Sequence, residues 1–285
     1  YALVTVGLWS TVASVSKITL SHFTPTQFLF FASLVSLVVI FTIIVFQKKL
    51  NLLKKSTRHD VLQGAAFGFL NPFAYYLLLF RAYDILPAQQ AQIINYTWAL
   101  TLTLLSIPLL KQRVSRQQWL AIAISYMGVF VIATKGRVFD FEIDNPLGVV
   151  YALASTVVWA LYWIFNTRDG RDPLIGLFLN FLWGCPMVFA YLLYTEGFQY
   201  VSLPGVLGAT YIGIFEMGFA FVLWLRAMKL TESTAKIANL IFLSPVVSLF
   251  LIHYIVGEEI YISTLVGMGL VLCGLGVQAA AEKRT

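Results

Sequence analysis

Ten apolar stretches of about 20 residues follow one another along the chain, each long enough to cross a bilayer as a helix. They run over 1–20, 26–46, 60–82, 87–110, 116–134, 146–166, 173–195, 203–229, 231–256 and 260–280. The joints between them are short and polar, for example Gln47 to His59, Lys111 to Ser115 and Gly170 to Pro173, and none could hold a soluble domain. The pattern predicts an all-α membrane protein of ten transmembrane helices.

The last five stretches repeat the first five. Phe80-Arg81-Ala82 answers Leu225-Arg226-Ala227, Asn71 answers Glu216, and Trp9 answers Trp159. The halves, 1–135 and 146–285, meet at the joint from Lys135 to Asn145. Because five is odd, a second copy that follows directly enters the bilayer from the other face, so the repeats are expected to be inverted. Many secondary transporters build two equivalent gates around one central site in this way. Charge sets the orientation. With the first helix running outward, all 19 lysines and arginines except Lys17, Arg81, Lys135 and Arg137 fall on the inner side, which puts both termini in the cytoplasm. Residue 1 is Tyr, so the natural start is expected upstream and a signal peptide cannot be judged.

Composition agrees with a lipid environment. Of the 285 residues 59% are hydrophobic and only 11% charged, against about 25% charged in a soluble domain. The net charge of +6 lies in short clusters between apolar runs, the pattern of cytoplasmic loops, and does not imply nucleic acid. Cys185 and Cys273 sit in separate apolar stretches, and His22, His59 and His253 are scattered. No disulfide framework, metal cluster or catalytic constellation can be read from them, and no cofactor is expected.

Glu216 is the one acidic residue deep inside an apolar stretch, midway along 203–229 and about 20 Å from either end. A carboxylate at that depth is a functional candidate by default, either for attracting a substrate ammonium group or for carrying a coupling proton. The competing reading is a protonated side chain hydrogen-bonded to a neighbouring helix. Asn71, its repeat mate, precedes Pro72, and a proline there frees backbone carbonyls toward a cavity; Pro245 has the same capacity. Polar and aromatic residues form stripes: Ser10, Ser14 and Lys17; Ser155, Trp159, Tyr162 and Asn166; Gln92 with Asn95 or Tyr96; and Asn239. Each stripe alone could be glue between helices. Tyr75, Tyr76, Trp98, Trp159 and Trp163 lie within spans, where rings beside a carboxylate suit an amphipathic or cationic solute. Lys17 is close enough to a helix end to snorkel. Arg81 is a candidate gate residue, with a headgroup or an acid such as Asp84 as partner. Glu258 and Glu259 are expected to be solvated in an outer turn. The small residues Gly64 and Gly68, Gly128 with Ala121 and Ser125, and Gly267, Gly269, Gly274 and Gly276 read as helix-packing ridges, with the fifth and tenth helices offering a dimer face.

Several of these residues stand in a familiar order. Trp9-Ser10 with Lys17, Trp159-Ala160, Asn239 to Pro245 (Asn-Leu-Ile-Phe-Leu-Ser-Pro), Gly257-Glu258-Glu259 and a glycine-rich last helix resemble the drug/metabolite transporter superfamily, specifically its ten-helix EamA-type carriers. The first half departs from that pattern at Asn95-Tyr96-Thr97-Trp98-Ala99-Leu100, at Lys111-Gln112-Arg113, and at Gln27, where an arginine is usual. The resemblance implies that the striped helices line a central cavity. The expected function is transport of a small metabolite, an amino acid or related amphipathic compound, by alternating access, in the export direction, with the bacterial inner membrane as its place. Substrate contacts would be Glu216, Asn71, Trp159, Tyr162, Asn239, Gln92, Tyr96, Ser10 and Tyr75; coupling or gating would fall to Glu216, Lys17, Arg81, Pro72 and Pro245. Partners are the solute, the lipid bilayer and a coupling proton, and the protein is a monomer or homodimer. A nucleotide-sugar or sugar-phosphate exchanger would want several cations in the cavity, whereas here they gather at the cytoplasmic rim. A membrane enzyme or a non-transporting receptor is the alternative from another class.

Overall fold

The computed structural model describes residues 1–111, 114–140, 143, 145–230, 240 and 243–282; the side chains of 225, 226, 228–230 and 282 are not described. The described chain is helical, without a strand. We number the rods α1 (Ala2–Leu20), α2 (Pro25–Phe46), α3 (Arg58–Gly68, Phe69–Ala74 and Tyr75–Ile85), α4 (Ala88–Asn95 and Trp98–Leu110) and α5 (Arg116–Ala133). They continue as α6 (Pro146–Asn166), α7 (Pro173–Thr195), α8 (Leu203–Tyr211, Ile212–Ala220 and Phe221–Leu230), α9 (Leu243–Leu251 and Ile252–Val256) and α10 (Ile262–Glu282). A short helix, Leu50–Lys54, crosses the α2–α3 joint.

The starts follow from local chemistry. Thr24, Asn145, Asp172 and Ser202 each accept a backbone N–H of the first turn, and proline stands at the beginning of the helix that follows. Thr57 with Asp60, and Ser115 with Gln118, form reciprocal capping boxes. Seven rods are long and apolar enough to cross a membrane: α1, α2, α4, α6, α7, α8 and α10. The other three expected spans are helical over their described residues but differ. In α3 the rod widens at Phe69–Ala74, where Asn71 leaves helical geometry (φ −144°, ψ 114°) because Pro72 can neither donate nor fit the preceding turn. In α5 the first residues are polar, and Leu243–Val256 is apolar but short. The expected single run 87–110 is interrupted at Tyr96–Thr97, where the Thr97 hydroxyl donates back to the Ile94 carbonyl. Large apolar side chains such as Leu3, Val38, Met127, Val150 and Leu207 are exposed, as lipid-facing residues are.

Packing has an internal order. The α3 rod lies on α6 as α8 lies on α1, α4 lies on α6 as α9 lies on α1, and α3 lies on α7 as α8 lies on α2. The remaining strong pairs, α2 with α7 and α5 with α10, join a helix to its own mate five positions on. A second widened turn, Ile212–Ala220, sits in α8 at the place matching Phe69–Ala74 in α3, without any proline. Asn71 and Glu216 each lie in a widened turn of their own rod. The glycine ridges of α5 and α10 face each other: a Cβ on Gly128 would stand 2.6 Å from the Gly267 carbonyl, and one on Gly267 would stand 2.7 Å from that of Gly128. Gly128, Gly267 and Gly274 are thus used inside the molecule, while Gly269 and Gly276 meet nothing within 4 Å.

Candidate functional site

The Glu216 carboxyl projects from the widened turn of α8. Its Oε1 accepts the Tyr76 hydroxyl at 3.2 Å, while Oε2 is buried with no hydrogen-bond partner among the described residues. Tyr75, Tyr83 and Tyr96 also lie within its electrostatic reach, and among the described side chains no lysine or arginine does. Beyond Tyr76 the rings continue. Tyr75 stacks on Trp159 (centroids 4.3 Å apart, planes 24°), and Trp159 stacks on Tyr162 (5.4 Å, 19°). Trp163 and Phe221 meet Trp159 edge-on at 5.8 Å and 5.9 Å, and Trp9 meets Phe221 at 6.3 Å. Residues of α1, α3, α6 and α8 thus converge on one aromatic box with a carboxyl at its edge.

Neutral polar groups complete the surroundings. Asn95 donates from Nδ2 to Ser155 Oγ at 2.9 Å and accepts the Tyr75 hydroxyl at a long 3.4 Å. Asn71 is fully buried with its amide facing the Tyr162 hydroxyl, without a hydrogen bond of full geometry; among the described residues Trp163 Nε1 and Ser14 Oγ have no hydrogen-bond partner. Buried polar atoms are normally satisfied, so each of these orphans is a candidate contact for something besides protein.

The other sequence candidates fall into distinct roles. Gln92 accepts the Ser248 hydroxyl at 2.6 Å, Ser10 lies 3.2 Å from Ser244 Oγ, and Tyr96 lies beside Ser244, so all three are tied to α9. Pro72 packs on Gly184 of α7, and Pro245 is buried in the first turns of Leu243–Leu251. Asn239 lies outside the described residues. Lys17 is turned away from the box: its Nζ donates to the carbonyls of Tyr83 (2.8 Å), Asp84 (3.3 Å) and Leu86 (2.8 Å), closing the C-terminus of α3. Arg81 pairs with Glu196 at 2.8 Å rather than with Asp84 or a headgroup, because the C-terminus of α7 brings that carboxylate across; Thr26 shares it at 3.0 Å. Glu258 is not simply solvated. It caps α4, accepting the Ala88 N–H at 2.7 Å, while the Glu258 carbonyl lies 3.0 Å from His253 Nδ1.

Sequence reasoning missed a buried group at the other end of α7. Arg171 and Asp169 form an ion pair of 2.7 Å with side chains only 5% and 8% exposed. Arg171 also donates to the Asp60 carbonyl (3.1 Å) and to Asn180 Oδ1 (3.2 Å), and lies over the Phe67 ring at 5.2 Å. The signal available was Asn180, a lone amide in the apolar 173–195 run. Asp169 and Arg171 themselves read as ordinary loop charges. Among the described residues no group of three His, Cys, Asp or Glu could hold a metal.

An all-helical body with an apolar exterior and a carboxyl-edged aromatic box defines an integral membrane protein with an intramembrane polar site. The sequence profile of the EamA-like transporter family matches residues 1–134 and 146–278, so the chain belongs to that family. It is 24% identical over 269 residues to an uncharacterized transporter of Clostridium kluyveri, covering 91% of this chain and 85% of that protein. It is 25% identical over 272 residues to the uncharacterized transporter YyaM of Bacillus subtilis, covering 92% and 87%. It is 24% identical over 189 residues to the aromatic amino acid exporter YddG of Ancylobacter novellus, covering 63% of each. A solved crystal structure matches the fold with a TM-score of 0.68 at 19% identity, over 99% of this chain and 96% of its own.

Proposed function

We propose that the protein is a secondary carrier that exports a small amphipathic solute, an amino acid or a related cationic compound, across a bacterial inner membrane by alternating access. It is built as two inverted five-helix repeats, 1–135 and 146–285, with both termini cytoplasmic and the Glu216 box between them. The observation that carries the reading is the Glu216 carboxyl near the middle of its rod, with Oε2 unpartnered among the described residues and Oε1 held by Tyr76, whose ring meets Tyr75 and through it the stack on Trp159. The matched packing of helices five positions apart supports two equivalent halves. The aromatic amino acid exporter among its relatives supports a ring-bearing solute. The ion pairs Arg81–Glu196 and Asp169–Arg171 stand at opposite ends of α7, where two alternating gates would close. Protons are the coupling ion, carried on and off Glu216.

The test is solute counterflow in proteoliposomes with a radiolabelled panel of amino acids and amines, with and without a pH gradient. Wild type is expected to exchange at least one solute, and Glu216→Gln to lower that exchange at least ~10-fold, the loss of one charge-assisted contact. Exchange that is unaffected by Glu216→Gln removes the residue from the site.

A further inference from the structure

We infer that the solute class suited to this box is an aryl-alkyl amine: an aromatic body ending in an ammonium group and carrying no carboxylate. The inference rests on the reading of Glu216 as the substrate contact, and it separates two halves of a zwitterion that the reading leaves together.

The charge balance around the box is one-sided. The carboxyl of Glu216 has one oxygen engaged by Tyr76 and one free. Its other neighbours among the described side chains, Tyr75, Tyr83 and Tyr96, carry phenol groups and no positive charge. An ammonium group can bond the free oxygen while resting against ring faces, whose negative quadrupoles attract it. A carboxylate entering with it finds no matching partner among the described residues. Lys17 is spent on three carbonyls, Arg81 on Glu196, Arg171 on Asp169 and Asn180, and Lys49 on Asp172. The polar groups by the rings, the open Trp163 indole N–H and the Asn71 amide that faces the Tyr162 hydroxyl, are neutral. They suit a hydroxyl or ether oxygen on the solute, whereas a carboxylate held there without a cation would sit close to the Glu216 charge and largely out of water. Tyr75, Trp159 and Tyr162 already stack on one another, so an aromatic body would join the box by extending or opening that stack.

Three probes that share one ring separate the ends: tyramine, tyrosine and 3-(4-hydroxyphenyl)propionate. Binding is measured on the purified full chain in nanodiscs with radiolabelled tyramine, by direct titration and by competition. Tyramine is expected to bind at least ~10-fold tighter than tyrosine, the propionate is expected not to compete, and Glu216→Gln is expected to weaken tyramine at least ~10-fold. Where Glu216→Gln does not fold, the ratio of tyramine to tyrosine on wild type decides. Tyrosine binding as tightly as tyramine, or tyramine binding intact in folded Glu216→Gln, overturns the inference. Counterflow of tyrosine that depends on Glu216, with none of tyramine, overturns it while leaving the carrier reading standing. A folded protein that neither binds nor exchanges any member of the wider panel overturns both.

Discussion

Lys49 meets Asp172 at 2.7 Å with both side chains about a quarter exposed, and Asp172 also caps α7 through the N–H groups of Leu174 and Ile175. Burial pushes the Asp172 carboxyl up, but the Lys49 bond, the Lys49 charge and those two N–H groups together outweigh it and hold the carboxyl below the usual aspartate range. A depressed carboxyl contributes stability that is present above its unfolded pKa and lost as pH falls through the folded one. Lys49→Met is therefore expected to lower the unfolding midpoint in detergent at neutral pH by the equivalent of up to about 1 kcal/mol, as half-exposed pairs do. The gap should begin to narrow below about pH 4, near the unfolded aspartate pKa, and close once the pH falls through the depressed pKa of the folded carboxyl. A gap of constant size from neutral to acid pH would show that the pair contributes nothing through its charge. At this scale the sequence revealed only one side of each interaction. Glu216 stood out because charge is rare in an apolar run, and Trp159 because it answers Trp9. The Lys17 site was hidden, since its acceptors are backbone carbonyls, which carry no residue signature. Arg81 and Glu196 are 115 positions apart in the chain, and nothing in either neighbourhood names the other.

Helices α5 and α10 test how far small residues set the fold. Gly128 and Gly267 bring the two backbones so close that a Cβ on Gly128 would also stand 3.0 Å from that of Leu270, whereas around Gly276 nothing lies within 4 Å. Gly128→Leu is expected to lower stability by about 1–3 kcal/mol, the range for overpacking, and Gly276→Leu by less than about 0.5 kcal/mol. Thermal unfolding of both variants in the same detergent checks this; equal shifts would mean that the ridge is not a close contact in the folded protein. The boundaries of α6 and α7 were legible to the residue because Asn145-Pro146 and Asp172-Pro173 are starts whose chemistry is complete in two residues. The break in α3 was legible from Pro72. The matching widening at Ile212–Ala220 was not, because no residue in it is incompatible with an ordinary helix. It lies where α8 comes close to α2, a Cβ on Gly213 standing 2.5 Å from the Ala32 carbonyl, an approach that only the folded molecule creates.

At the scale of the whole molecule, repetition and charge asymmetry make claims that the packing alone does not decide. Helices five positions apart exchange partners in the same way whether the halves are parallel or inverted, so the packing supports two halves, and the proposed inversion rests on an odd number of spans in each. The joints hold the test. Phe139 lies between α5 and α6 at 92% exposure and Tyr200 lies between α7 and α8 at 86%, so both side chains are reachable from solvent. Lys54, between α2 and α3, and Arg168, between α6 and α7, are also exposed. With Cys185 and Cys273 replaced by serine, a single cysteine is placed at each of the four positions in turn, and intact cells are treated with a membrane-impermeant maleimide. Ten spans with both termini inside predict labelling of Phe139→Cys and Tyr200→Cys in intact cells, and of Lys54→Cys and Arg168→Cys only after the membrane is opened. The pair that decides is Lys54 and Arg168, which belong to different halves and precede α3 and α7. In an inverted pair of repeats they share the cytoplasm because α3 and α7 both run outward. Labelling them from opposite sides would require an even number of spans between the copies, and the halves would then have to stand parallel, with no second gate to alternate with the first.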